Sequence, residues 1–149
     1  MPTVAIQPKT QRRARPRRGW TRPAPVVRIP PPTSAALVAE IAACASSASA
    51  PNWDGYGAEP LPPSVEVRAQ RLARALPASL PVPEVAPAPS GSIDLEWRKG
   101  RGNCLALCVH ESGPVLYDGR LGGSPVSGSF PLSARLPARV SELLRAVAG

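Results

Sequence analysis

The sequence predicts an α+β fold: two N-terminal helices, a three-stranded antiparallel meander and a C-terminal helix, preceded by a disordered basic arm. Three observations carry this. Apolar residues recur at helical spacing in two early segments and one late one, whereas residues 92–118 largely alternate apolar with polar. A compact loop, Asn52-Trp53-Asp54-Gly55-Tyr56-Gly57-Ala58-Glu59-Pro60, separates the two early segments. The net charge sits ahead of all of them. Residues 1–32 hold Lys9, Arg12, Arg13, Arg15, Arg17, Arg18, Arg22 and Arg28 and no acid, which accounts for the whole formal charge of +8. The ten basic and ten acidic residues of 33–149 cancel. The division is therefore an Arg/Pro-rich arm over 1–32 and a single small α+β domain over 33–149.

The arm mixes its arginines with Pro2, Pro8, Pro16, Pro23, Pro25 and Pro30 to Pro32. Such a segment buries too little apolar area to offset its ordering entropy, so disorder with polyproline character is expected. Arg12, Arg13, Arg15, Arg17, Arg18 and Arg22 are candidates for phosphate contacts with nucleic acid, and Trp20 for stacking on a base. The plainer alternative is an unselected extension or a mis-assigned start codon, given the dominance of Ala, Pro, Arg and Gly.

The first helix is expected over about Ser34–Ala48, with Ser34 as cap and Leu37, Ile41, Cys44, Ala45 and Ala48 as its buried stripe. In the loop, Asp54-Gly55 and Gly57 supply turn chemistry, and Asn52 or Asp54 can accept bonds from nearby amides. Trp53 and Tyr56 are expected to fold inward as anchors. Two uses fit the loop. Trp53, Asp54, Tyr56 and Glu59 form a candidate binding surface; the plainer use is to glue the helices to the sheet.

A second helix is expected from a Ser64 cap to about Leu76, burying Val65, Ala69, Leu72, Ala73 and Leu76. Residues 77–90 form a proline-rich connector, expected to cross the surface in polyproline or edge-strand form. Three strands follow. Ser92–Lys99 turns Ile93, Leu95 and Trp97 to one face and Asp94, Glu96 and Arg98 to the other. Cys104–His110 turns Leu105, Leu107 and Val109 inward, and Val115–Asp118 makes a shorter third strand. Residues 119–130 are Gly/Ser-rich and expected to be mobile. Pro137–Ala148 reads as the last helix, with Leu136, Val140, Leu143, Leu144 and Val147 on its apolar stripe.

Composition narrows the function classes. Cys44, Cys104 and Cys108 are too few and too irregular for a disulfide framework, so a reduced, cytoplasmic setting is expected. No apolar run approaches the roughly 20 residues of a membrane span, and no secretory signal pattern opens the chain.

Three places carry the residue types that chemistry would need. Cys104, Cys108 and His110 share a strand face but spread over about 20 Å, too far for one metal ion. Cys108 with His110 offers a nucleophile and base without an evident orienting group or oxyanion hole, and Asp94 with Glu96 offers paired carboxylates beside Arg98. No phosphate-binding glycine pattern is present. The expectation is a non-enzyme with no metal and no cofactor.

The loop Trp53-Asp54-Gly55-Tyr56-Gly57-Ala58-Glu59-Pro60, the connector around Leu80-Pro81-Val82-Pro83 and the strand Ile93-Asp94-Leu95-Glu96-Trp97 carry a resemblance. Residues 34–118 resemble a loose group of small bacterial proteins with a W-D-G-Y-G-A-x-P loop and a later L/F-E-W strand. The group has no established activity, so the resemblance implies a folded bacterial domain and no particular chemistry. The expected function is a non-enzymatic protein-interaction module, an accessory or antitoxin-like partner of another bacterial protein; the alternative is non-specific nucleic-acid binding through the arm.

Overall fold

The computed structural model describes residues 32–149, with side chains from Ser34 onward. The arm, with Arg12, Arg13, Arg15, Arg17, Arg18, Trp20 and Arg22, lies outside the described residues. The order is α1 (Pro32–Ser47), α2 (Pro63–Ala75), β1 (Glu84–Ala88), β2 (Ser92–Arg98), β3 (Cys104–Val109), β4 (Val115–Leu121), β5 (Ser124–Phe130) and α3 (Ala138–Ala148). The strands form one antiparallel sheet in chain order, β1-β2-β3-β4-β5. The α+β class stands; the count of three strands does not.

Both additional strands are edges: β1 takes the edge-strand form that was one of the two expected for the connector, and β5 lies where a mobile stretch was expected. β1 lies within the proline-rich connector. The three-residue turn after Ala88, closed by the Gly91 N–H to the Ala88 carbonyl, sets the alternation of the β1–β2 ladder. That alternation points the backbone of Pro87 outward, where no ladder N–H is needed. Edge placement is thus how this strand carries a proline. β5 and the second half of β4 occupy the Gly/Ser-rich stretch expected to be mobile. Gly122 and Gly123 take φ of +58° and +80°, the two positive values that a tight type I′ hairpin turn requires. The register Leu121↔Ser124 to Val115↔Phe130 then runs unbroken along both strands.

The core lies between the helices and one face of the sheet. β3 alternates strictly: Leu105, Leu107 and Val109 are buried and Cys104, Ala106 and Cys108 half-buried. β2 buries Ile93, Leu95 and Trp97 in the same way, with Ser92 buried as well at its start. From the helices come Leu37, Ile41, Val65, Leu72, Val140, Leu144 and Val147, all buried. Each fully buried aliphatic side chain contributes on the order of 2 kcal/mol. The indole N–H of Trp97 donates to the Pro81 carbonyl at 2.8 Å, which ties the connector to the sheet.

The helix starts differ from expectation. α1 begins before Ser34, which lies buried in its first turn and is not its cap. α2 begins at Pro63 after Pro62, so Ser64 is already helical and its hydroxyl is buried without a hydrogen-bond partner among the described residues. Two prolines with φ preset for a helix entry take over the role given to serine. Among the described residues no helix is long and apolar enough to cross a membrane.

Across the sheet, α1 packs on β1 and β2, α2 on β2 and β3, and α3 on β2 to β4. No described helix packs on β5, whose one neighbouring element is β4.

Candidate functional site

The loop between α1 and α2 is a closed hydrogen-bonded unit. The Asn52 N–H donates to the Ala58 carbonyl at 2.8 Å, and the Gly55 N–H to the Asn52 carbonyl at 3.1 Å. Asn52 itself has φ +58°, a left-handed conformation that asparagine tolerates better than most residues. Its side-chain oxygen accepts the Gly57 N–H at 2.6 Å. Oδ1 of Asp54 accepts two amides, Tyr56 N–H at 2.8 Å and Ala58 N–H at 3.1 Å. The Trp53 indole donates to the Glu59 carbonyl at 3.0 Å. Beyond the loop, the Leu61 N–H reaches the Ala48 carbonyl at 2.8 Å and joins the ends of the two helical segments.

These bonds sort the four candidate residues. Trp53 is half-buried against the core and acts as the anchor that was expected. Tyr56 does not fold inward: it is 94% exposed, at the tip of the turn. The reason lies in the turn itself. Asp54 captures the Tyr56 amide and Asn52 captures the next one, so the backbone reverses at Tyr56 and throws its side chain outward. Asp54 is committed to the loop's own amides. The Glu59 side chain is exposed while its carbonyl holds Trp53. Tyr56 and Glu59 are therefore the groups offered to solvent.

The strand residues considered for catalysis share the sheet face that the helices leave open. Cys108 stands across from Asp94 on β2 and Leu116 on β4. Burial pushes its thiol up to about 12, helped by the charge and hydrogen bonding of Asp94 and the charge of Asp118. A thiol so placed stays protonated at neutral pH, which opposes a nucleophilic role. Cys44 is pushed upward as well, first by burial and then by Asp94. Asp94 accepts from the Ser92 hydroxyl at 3.3 Å, and Glu96 pairs with Arg98 at 2.7 Å. Among the described residues no group of three or more His, Cys, Asp and Glu side chains is placed to hold a metal ion.

Arg68 is the residue that sequence reasoning passed over. From α2 its Nε donates to the His110 carbonyl at 2.9 Å and its guanidinium also donates to the Gly113 carbonyl, clamping the β3–β4 turn. It borders an open groove of about 410 Å³ with Pro114, Phe130 and Leu132. An arginine at the border of the buried stripe, 42 residues from its partner, leaves no local trace in sequence.

Comparison with protein-family models, curated proteins and solved structures returns no match.

Proposed function

We propose that the chain is a non-enzymatic interaction module, an accessory or antitoxin-like partner of another protein in the bacterial cytoplasm, and that it engages this partner through Tyr56. One observation carries the reading: the tyrosine is 94% exposed on a loop braced by six internal hydrogen bonds. A large aromatic held outward is costly to leave in water, yet a rigid loop loses little entropy when it docks. Tyrosine is also enriched among residues that dominate binding energy. Glu59, exposed on the same loop, supplies a charge for orientation. Kinship with the small bacterial proteins that carry the W-D-G-Y-G-A-x-P loop belongs to the same proposal, on the motif residues alone. No cofactor is needed.

The test is affinity capture with the full-length chain, nuclease-treated, against Tyr56→Ala. The proposal expects a nuclease-resistant protein held by wild type and lost from a Tyr56→Ala chain that keeps its melting profile. Equal capture by both removes the loop from the interface.

A second reading rests on the placement of all net charge in residues 1–32. Non-specific nucleic-acid binding through Arg12 to Arg22 predicts affinity that falls steeply with salt and vanishes when 1–32 is deleted. Unchanged affinity after the deletion ends that reading.

A further inference from the structure

The two edges of the sheet are not equivalent. β1 lies under α1 and is punctuated by Pro83, Pro87 and Pro89. Its outward backbone positions are Val85 and Pro87, so Val85 is its one outward N–H. β5 has neither helix nor charged residue: Ser124-Pro125-Val126-Ser127-Gly128-Ser129-Phe130. Its two-residue turn makes Leu121↔Ser124 a bonded pair, and alternate pairs follow, Gly119↔Val126, Tyr117↔Gly128 and Val115↔Phe130. Pro125, Ser127 and Ser129 therefore aim their backbone groups away from β4. Pro125 costs the ladder nothing there, and the N–H groups of Ser127 and Ser129 point out of the sheet.

We propose that β5 pairs antiparallel with β5 of a second copy of this chain, about a two-fold axis at Ser127, to form a continuous ten-stranded sheet. The inference is independent of the Tyr56 proposal. Its basis is self-complementarity. Ser127 faces Ser127 of the mate, and their amides and carbonyls exchange two hydrogen bonds. Pro125 then faces Ser129 of the mate: each Ser129 N–H meets a Pro125 carbonyl, adding two more, while the Ser129 carbonyl opposite the proline stays with water. Ser127 is the midpoint of Ser124–Phe130, so this register pairs the whole strand with its mate, whereas a centre at Gly128 makes four bonds as well but leaves Ser124 and Pro125 beyond the mate's strand.

Side chains and charge agree with this register. On the helix side, Tyr117 lies across Gly128, in the space a Cβ would fill. Tyr117, Leu121 and Val126 are half-buried at the margin of the core, beyond which β5 has no helix cover. Pairing sets Val126 beside Gly128 and Tyr117 of the mate, which covers that margin. On the open side the nearest acids are Asp118 and its copy, each beside a Ser127. Three strand spacings separate them, about 14 Å, beyond the roughly 8–10 Å reach of a charge at physiological salt. An edge with two outward N–H groups, no charge and no facing like charges is open to a strand, with Pro125 as its one blunted position.

Sedimentation of the full-length chain tests this, up to about 1 mM protein and in about 0.3 M salt to screen the basic arms from one another. Wild type should shift from monomer to dimer with concentration. Ser127→Pro removes an N–H that the monomer's ladder does not use, and should keep the circular dichroism spectrum while weakening association at least about tenfold, the loss of two hydrogen bonds. Ser127→Cys, oxidised and mapped by peptide mass, should link to itself across the axis, whereas Ser124→Cys should not. A wild-type chain monomeric throughout overturns the proposal. So does a dimer that a folded Ser127→Pro leaves unchanged, or one with no 127–127 link.

Discussion

Replacing Asp54 by alanine isolates the bonds that shape the loop. Its Oδ1 accepts the Tyr56 and Ala58 amides at 2.8 and 3.1 Å. A hydrogen bond to a charged group is worth about 1.5–3 kcal/mol net when its partner is left unsatisfied. The Tyr56 amide is exposed and can turn to water, so its loss counts for little. The Ala58 amide belongs to a residue 8% exposed and loses its acceptor without replacement. The expected destabilisation is therefore about 2 kcal/mol, dominated by one bond. Asn in place of Asp keeps a carbonyl acceptor and should cost about 1 kcal/mol or less. Urea denaturation followed by tryptophan fluorescence reads this directly. With a slope of about 1.5 kcal/mol/M, the midpoint should fall by roughly 1.3 M for Asp54→Ala and by about half that or less for Asp54→Asn. An alanine variant within about 0.3 M of wild type refutes the role of the carboxylate. Equal losses for both variants would show that packing, not hydrogen bonding, is what Asp54 provides.

Other perturbations follow from the same geometry. Tyr56→Ala should change stability by less than about 0.5 kcal/mol, since its side chain touches almost nothing, and an equilibrium melt checks it. Gly119→Ala should be severe, above about 3 kcal/mol, because a Cβ there would lie 2.1 Å from the Cys104 carbonyl oxygen; soluble yield and melting temperature report it. Arg68→Ala frees the His110 and Gly113 carbonyls and should speed amide exchange in the β3–β4 turn before it affects the rest of β3. Cys108 has its folded value raised from 9.0 to about 12, so its contribution is complete below pH 9 and is lost as pH rises toward 12. Cys108→Ala should flatten that alkaline loss, leaving the smaller share due to Cys44, in denaturation midpoints taken across the window.

What the sequence makes legible follows from how each element is buried. Ile93, Leu95 and Trp97 alternate because one face of β2 meets helices and the other does not, and that contrast is written in residue type. Leu37, Ile41 and Cys44, or Val140, Leu143 and Leu144, mark their helices for the same reason. No helix backbone packs on β5 and only Val126 and Phe130 turn to the core, so Ser124 to Ser129 reads as loop. β1 carries Pro87, which only an edge permits. The loop's closure was legible in Asn52, Asp54 and the glycines, because short polar side chains that accept nearby amides act locally. The direction of Tyr56 was not, since it depends on which amide each side chain captures. Arg68 was invisible for the opposite reason: its partners come from a turn assembled only when the sheet forms.

The placement of the loop and the free edge gives the two proposals a joint consequence. Pro62, just after the loop, sits beside Gly91 in the β1–β2 turn, so the loop belongs to the β1 flank of the sheet. β5 is the opposite edge. A dimer joined at β5 therefore carries its two Tyr56 loops on the far flanks of a ten-stranded sheet. At about 4.8 Å per strand the flanks lie some 40–45 Å from one another. Such a dimer binds two separate partner molecules without interference, and a partner that is itself dimeric gains only if its sites can span that distance. Ser127→Pro should then leave the affinity for a monomeric partner unchanged and weaken retention on a surface densely coated with it. Surface plasmon resonance at low and high coating density distinguishes the two. Equal dissociation rates at both densities for wild type would show that the loops do not act as a pair.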